Sequence, residues 1–121
     1  MARSKYHNVR TEYNGVKYDS KAEAAYAETL DLMLRASTIR GWIRQPTFSL
    51  GVPENKYRPD FLVFDGDGTV YAVDVKGVET RKFLHDAKLW SRYGPCPLHV
   101  VGVKRGTIST SRTIEPEVTN G

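Results

Sequence analysis

The sequence predicts a single α/β domain in which helices flank a mixed β-sheet. Two turn signals, Asn14-Gly15 and the Asp-Gly-Asp-Gly run at 65–68, each separate two stretches with the composition of strands and therefore predict hairpins. Two segments, about 20–36 and 80–93, have helical periodicity. The order is strands, helix, strand, hairpin, helix, strand. Because this is not a regular alternation of strand and helix, we expect a sheet with both parallel and antiparallel neighbours.

Length and cysteine content are those of one folded domain in a reducing compartment. The 121 residues are enough to bury one hydrophobic core. Cys96 is the only cysteine, so an internal disulfide is impossible, and His7, His85 and His99 lie too far apart in sequence to resemble a zinc site. There is no apolar run near the ~20 residues of a membrane helix, and the first ten residues lack the apolar centre of a signal peptide. We therefore expect a soluble, cytoplasmic protein with no membrane partner.

Positive charge is concentrated at both ends of the sequence, around an acidic middle. The formal net charge is +4, and Arg3, Lys5 and Arg10 precede the first acid. Seven Lys or Arg residues lie within 81–112, against the single acid Asp86. A basic surface around an acidic centre indicates a polyanionic partner held beside carboxylates. The alternative is an ordinary scatter of surface charge.

The first predicted helix carries a carboxylate on its inward side. Ser20 is a typical N-cap, and Glu23, three residues later, completes a capping box. Apolar residues at i+4, i+7 and i+11 place Glu23 at the head of a buried row, which its capping role does not explain. This row is Ala27, Leu30 and Leu34, and the solvent-facing stripe is Ala24, Glu28, Asp31 and Arg35.

The second predicted helix, from the N-cap Thr80 to Tyr93, combines an apolar face with a basic one. It directly follows the strand that carries Asp74, so its basic stripe would lie alongside that strand and contact phosphates. A solvated helix surface is the alternative interpretation. The apolar face is Phe83, Leu84, Ala87 and Trp90, and the basic stripe is Arg81, His85, Lys88 and Arg92.

The remaining segments complete a domain that spans 1–105, including a basic N-terminal arm. A strand interrupted at Pro46 is followed by a loop at 51–58, and a buried-type strand follows the second helix. The C-terminal tail, 106–121, is expected to add one extra strand at 108–114 and then to be disordered.

The loop of the second hairpin determines which residues lie opposite each other. We expect a three-residue loop, 66–68, with Gly68 in the left-handed conformation. Loops of two or four residues would shift the pairs but would keep the two aspartates close. With three residues, the pairs are Phe64 with Val70, Leu62 with Ala72, Asp60 with Asp74 and Arg58 with Lys76.

Two opposed carboxylates need a compensating charge. Asp60 and Asp74 would repel each other, and partial burial would add a desolvation cost. A divalent cation that prefers hard oxygen ligands, Mg²⁺ or Mn²⁺, would compensate both, with Glu23 as a third carboxylate. The alternative is a pair of salt bridges on an exposed edge, one to Lys76 and one to Arg58.

These residues form a recognisable motif. Pro59-Asp60 and Asp74-Val75-Lys76 are separated by thirteen residues, and with Glu23 upstream the pattern resembles the PD-(D/E)XK nuclease superfamily. Together with the opening segment, 5–28, it is similar in particular to the small archaeal-type Holliday junction resolving enzymes and related phage endonucleases. The similarity runs over about 5–103. Many members carry Glu where this chain has Asp74, and the tail has no counterpart.

The resemblance implies a metal-dependent endonuclease and assigns roles to the motif residues. Asp60, Asp74 and the backbone carbonyl of Val75 would bind Mg²⁺, with Mn²⁺ as a substitute. Glu23 would complete the site through a water or a second ion. Lys76 would orient the attacking water or help to deprotonate it. No small-molecule cofactor is implied.

The resemblance also implies a substrate and an assembly. The substrate would be branched DNA, a four-way (Holliday) junction cut by phosphodiester hydrolysis. Its two-fold symmetry implies a homodimer with two active sites. Trp42, Ile43 and Phe48 are candidate dimer contacts, although they could equally fill the core of the monomer. Ser20 would either contact DNA or serve only as the N-cap. If a phage encodes the chain, the protein would act in the host cytoplasm.

Two other functions fit the same sequence. One is a different nuclease on the same scaffold, such as a restriction-like enzyme or one that cuts flaps or other branched DNA. The other is a non-catalytic nucleic-acid-binding module in which the acids are structural. Junction selectivity can arise from backbone contacts and DNA shape, so no base-reading residue is nominated.

Overall fold

The computed structural model describes residues 9–104 and 107–117, so the predicted DNA contacts Arg3 and Lys5 lie outside it. The elements in chain order are β1 (Thr11–Tyr13), β2 (Val16–Tyr18), α1 (Lys21–Arg35), β3 (Ile39–Arg44), β4 (Phe48–Ser49), β5 (Lys56–Tyr57), β6 (Phe61–Asp65), β7 (Val70–Val75), α2 (Arg81–Tyr93), β8 (Leu98–Lys104) and β9 (Thr107–Ile114). Neither helix in this part of the chain is long and apolar enough to cross a membrane.

A five-stranded mixed sheet forms the centre of a single compact α/β domain, which confirms the predicted fold class. The strand order is β3-β6-β7-β8-β9. All neighbouring strands are antiparallel except β7 and β8. These two are parallel because α2 provides the long crossover connection between them. The shortest strands form two separate ribbons, β1 with β2 and β4 with β5.

The sheet separates two hydrophobic clusters. Phe61 and Val73 belong to the cluster that contains Leu30 of α1, whereas Ala72 belongs to the cluster that contains Trp90 of α2. Successive side chains of a strand point to opposite faces. The two helices therefore cover opposite faces of the sheet, and the position of a residue along β7 decides which helix it meets.

Local turn chemistry accounts for both predicted hairpins. Asn14 and Gly15 have positive φ angles of 52° and 80°, as a two-residue type I′ turn requires. Gly68 has a φ of 93° and closes the loop between β6 and β7. Phe64 lies opposite Val70 in that hairpin, so the predicted register is confirmed.

α1 begins at its predicted cap, but its buried face differs from the prediction. The Glu23 N–H donates to Ser20 Oγ at 3.1 Å. Ala24, expected on the solvent side, is buried because it shares a cluster with Tyr18 of the β1–β2 ribbon. Leu34, expected in the buried row, is 40% exposed in the last turn. Those two predictions are therefore wrong.

α2 also begins at its predicted cap, where the Phe83 N–H donates to Thr80 Oγ1 at 3.2 Å. Phe83 and Trp90 are buried as predicted, but Leu84 is 48% exposed. Consecutive helix residues are rotated by about 100°, so the helix cannot bury Phe83 and Leu84 equally. The basic stripe is exposed along its whole length.

The chain after α2 completes the sheet. β9 pairs with β8 from Leu98 opposite Ile114 to Lys104 opposite Thr107, with one register shift. The strand predicted at 108–114 is thus present. The end of the predicted disordered tail, 118–121, lies outside the described residues.

Candidate active site

The two motif aspartates lie at the open end of the β6–β7 hairpin. Asp60 directly precedes β6, and Asp74 follows the last residue of β7 that pairs with β6. Asp74 and Lys76 lie two and four residues after Ala72, which faces α2. Strand alternation therefore directs both charged side chains to the α2 face of the sheet.

Asp60 and Asp74 are close enough for their carboxyl groups to share a hydrogen bond. Asp74 is 2% exposed, and the Val75 N–H donates to Asp60 Oδ2 at 2.7 Å. Burial first, and then the negative charge of Asp74, raise the pKa of Asp60 to about 9. At neutral pH the pair therefore retains a proton unless a cation replaces it.

Asp74 has two further side-chain contacts. The Tyr57 hydroxyl donates to Asp74 Oδ2, and Lys76 Nζ lies 3.3 Å from Oδ1. The same Nζ lies 4.8 Å from the centre of the Phe83 ring. The salt bridge to Lys76 that the sequence offered as an alternative is therefore present. Within the described part of the chain, Asp60 has no corresponding ion pair.

The backbone carbonyl oxygen of Val75 lies on the same side of β7 as Asp60. Its N–H donates to Asp60, whereas the N–H of Lys76 donates to the Val101 carbonyl of β8 at 2.8 Å. The N–H and C=O of one strand residue point to the same edge. The Val75 carbonyl therefore points toward Asp60 and away from β8.

Glu23 is placed in a neighbouring cleft. It comes from α1, which covers the opposite face of the sheet from Asp74. Across residues 9–104 and 107–117, no group of three or more His, Cys, Asp or Glu side chains is close enough to hold a metal ion. Burial and Asp19 raise the pKa of Glu23, the charge of Arg44 lowers it, and Asp74 raises it further. The structure thus brings two of the three predicted carboxylates, Asp60 and Asp74, into contact. The third, Glu23, is close enough for the charge of Asp74 to raise its pKa.

Two clefts meet at Lys76. The first, with a volume of about 300 Å³, contains Asp60 and Asp74 and is called the acidic cleft below. The second, of about 260 Å³, contains Glu23. Lys76 and Thr80 line both, so the clefts adjoin at the N-terminus of α2.

The acidic cleft has a basic rim. Lys56, Arg58 and Lys82 line it and are exposed. A further acid, Asp86, is buried on the same wall and accepts a hydrogen bond from Lys82 Nζ at 2.9 Å. An anion that approaches the aspartates therefore meets positive charge first.

The predicted DNA contacts that the structure describes do not line the acidic cleft. The basic stripe occupies the side of α2 opposite Phe83 and Trp90, and faces solvent. Ser20 lines the second cleft, where its Oγ caps α1. Arg10 is exposed immediately before β1.

β5 brings residues to the site that the sequence did not suggest. A loop was predicted at 51–58, yet Tyr57 lies on a short strand and reaches Asp74. The available signal was the alternation of Lys56, Tyr57 and Arg58 directly before the Pro-Asp motif. Such an alternation sends the tyrosine inward and both cations outward.

The end of β3 supports the site from the other side. Gln45 has a φ of 51°, a strained left-handed conformation for a non-glycine residue. Its N–H donates to the Asp60 carbonyl at 2.9 Å, so this strained residue helps to fix the aspartate. Arg44 Nε is buried with no hydrogen-bond partner among the described residues, and its charge lowers the pKa of Glu23.

Comparison with known proteins identifies a family. Residues 3–101 match the model of a family described as "Protein of unknown function (DUF1064)". No curated protein and no solved structure matches the chain. Because the match covers far more than half of the 121 residues, this chain belongs to the DUF1064 family.

Proposed function

We propose that this protein is a divalent-metal-dependent endonuclease that hydrolyses phosphodiester bonds in branched DNA. The observation that carries the proposal is the contact between Asp60 and Asp74 in an open cleft beside Lys76. Burial and the charge of Asp74 oppose the ionisation of Asp60, so this arrangement contributes little to stability. A carboxyl group in a cleft whose pKa is shifted by burial and a neighbouring charge is typical of a functional site.

The oxygen donors fit Mg²⁺, with Mn²⁺ as a substitute. Asp60, Asp74 and the Val75 carbonyl are hard ligands, and the two carboxylates need a positive charge between them. Glu23 would act through a water from the neighbouring cleft. When bound, the ion would polarise a phosphoryl oxygen and lower the pKa of a bound water.

Lys76 lies where a group that acts on the phosphate is needed. Its ammonium group is held between Asp74 and the Phe83 ring, at the junction of the two clefts. A fixed positive charge there would stabilise the charge that develops on the phosphate in the transition state. The same ammonium group would orient the attacking water.

Branched DNA is the proposed substrate because the motifs resemble those of Holliday junction resolving enzymes. The net charge of +4 supports a polyanionic partner. The two-fold symmetry of a four-way junction implies a homodimer, which would act in the cytoplasm. The proposed backbone contacts are Arg3, Lys5, Arg10, Ser20, Arg81, His85, Lys88 and Arg92.

The proposal is tested by incubating the protein with a labelled synthetic four-way junction, in Mg²⁺ or in EDTA. A flap and a linear duplex of the same sequence, at the same salt concentration, are the substrate controls. We expect Mg²⁺-dependent cleavage of the junction, and loss of cleavage but not of binding in Asp74→Asn. Equal cleavage of the linear duplex would favour a restriction-like enzyme, and full activity of Asp74→Asn would remove Asp74 from the mechanism.

A non-catalytic nucleic-acid-binding module is the second candidate. The Asp74–Lys76 ion pair and the hydrogen bond between the aspartates favour it, because together they satisfy both acids without a metal. This function predicts salt-sensitive binding, with log K falling by ~0.9 per phosphate contact for each tenfold rise in salt. It predicts no metal-dependent product from any of the three substrates.

A further inference from the structure

Tyr57, which lies outside the two motifs, contacts the Asp74 carboxylate directly. It is buried on β5, where its ring packs edge-on against Trp90 at 5.7 Å between ring centres. Its hydroxyl donates to Asp74 Oδ2. Burial, followed by the charge of Asp74, raises the pKa of Tyr57 above its usual value, so the hydroxyl keeps its proton.

The contact leaves the two oxygens of Asp74 in different environments. Oδ2 accepts the hydrogen bond of the Tyr57 hydroxyl on the wall of the acidic cleft, whereas Oδ1 faces the ammonium group of Lys76, 3.3 Å away, at the junction of the clefts. A cation that enters the cleft therefore meets Oδ1, while the hydroxyl holds Oδ2. A carboxylate fixed in this way offers one oxygen to a metal ion rather than two.

We propose that Tyr57 is a positioning residue that presents Asp74 to a divalent cation through Oδ1 alone, and so favours Mg²⁺ over Ca²⁺. The inference rests on the proposed metal-dependent function. Mg²⁺ requires a compact octahedral arrangement with one oxygen from each carboxylate, whereas Ca²⁺ accepts more ligands and often takes both oxygens. Hydrogen bonds to a ligating carboxylate are known to set metal affinity.

The test is the Tyr57→Phe variant, which removes the hydroxyl and keeps the ring against Trp90. Calorimetric titration with Mg²⁺ and with Ca²⁺ should show a ~10–100-fold weaker Mg²⁺ affinity and a smaller loss for Ca²⁺. The preference for Mg²⁺, measured as the Mg²⁺ affinity divided by the Ca²⁺ affinity, should therefore fall. Tyr26→Phe is the matched control, since it makes the same change at a buried tyrosine of the α1 cluster. It should leave both affinities unchanged.

Cleavage kinetics separate positioning from a general structural defect. Excess Mg²⁺ should restore most of the rate of Tyr57→Phe, because the loss lies in metal affinity. A rate that excess metal does not restore would overturn the positioning role, as would Mg²⁺ and Ca²⁺ affinities equal to those of the unchanged protein. If the unchanged protein binds neither ion, the proposed function itself fails, and this inference fails with it.

Discussion

Asp60 and Asp74 show a conflict between stability and function at the scale of single side chains. Their carboxyl groups lie together and largely out of water, where burial and the charge of Asp74 raise the pKa of Asp60. Groups arranged for binding or catalysis commonly reduce the stability of the fold that carries them. The metal-free protein should therefore have a measurable pH-dependent instability at this site.

We expect Asp60→Asn to stabilise the metal-free protein at pH ~8. The folded-state pKa of Asp60 is raised to about 9, whereas an aspartate in an unfolded chain titrates near ~3.9. The stabilising contribution of protonated Asp60 should therefore be complete below the unfolded pKa and be lost progressively as the pH rises from there through the folded pKa. Asn resembles the protonated acid and cannot ionise, so the gain should be ~1–3 kcal/mol.

Urea unfolding in EDTA over a range of pH measures this effect. The exposed Asp67→Asn is the control, because hydrogen bonds from Thr69 lower the pKa of Asp67 and its replacement should bring no gain. Mg²⁺ should stabilise the unchanged protein at pH ~8 and have less effect on Asp60→Asn. A stability that does not change with pH would contradict the mutual repulsion of the two aspartates.

Strand alternation and hairpin register explain which site residues could be predicted from the sequence. Both are local and discrete, so they placed Asp60 and Asp74 together and Lys76 on the same face. Tyr57 was not predicted because β5 contains only two residues, so the alternation of Lys56, Tyr57 and Arg58 is too short to distinguish a strand from a loop. The strained φ of Gln45 results from its position between the end of β3 and Asp60. Glutamine has no preference for this conformation, so the sequence does not indicate it.

At the scale of elements, turns and caps were predictable and buried faces were less so. The Asn14-Gly15 turn and the N-caps Ser20 and Thr80 act through neighbouring backbone groups, so a few residues determine them. The width of a buried helix face depends on what packs against it. The exposed Leu84 and the buried Ala24 both show this dependence.

The two positive charges beside Tyr57 lead to a prediction about where DNA binds. Lys56 and Arg58 point outward at the mouth of the acidic cleft, on either side of Tyr57. The double replacement Lys56→Ala with Arg58→Ala should weaken junction binding. It should also make the plot of log K against log salt concentration less steep by about 1.8, because each of the two lost phosphate contacts contributes ~0.9 to the slope. Fluorescence anisotropy at several salt concentrations, with Asp74→Asn to prevent cleavage, measures both quantities.

The basic stripe, whose residues are also proposed DNA contacts, supplies the matched comparison for this experiment. Lys88→Ala with Arg92→Ala also removes two exposed positive charges, but neither residue lines the acidic cleft. We expect a smaller loss of affinity and a smaller change in slope. If the stripe variant loses more affinity than the β5 variant, the DNA follows the outer face of α2 instead.

At the scale of the whole molecule, the packing of α1 on the sheet explains the position of Glu23. The sequence shows that Glu23 heads an inward-facing row, but not which face of the sheet α1 covers. That choice depends on how α1 packs on the sheet, which is set by contacts between distant segments. α1 packs on the face opposite Asp74, so Glu23 approaches the aspartates from the neighbouring cleft.

The monomer itself uses two of the three predicted dimer contacts. Trp42 packs on the α1 cluster, and Phe48 lies edge-on to Trp90 with 5.1 Å between ring centres. Ile43, on the edge strand β3, is 46% exposed, and Phe64 on the adjacent strand is exposed as well. Ile43 is therefore the predicted contact that is free to meet a second copy of the chain.

Ile43→Lys should convert the proposed homodimer into monomers. In a two-fold symmetric contact the substitution appears in both copies, so two charges would be brought into one apolar interface. Sedimentation equilibrium measures the mass, and Leu32→Lys on α1, which also replaces an exposed apolar residue, is the control that should stay dimeric. The monomers should nick four-way junctions without producing paired cuts, because each carries one acidic cleft. Paired cutting by an unchanged protein that sediments as a monomer would contradict the dimer and the symmetry argument behind it.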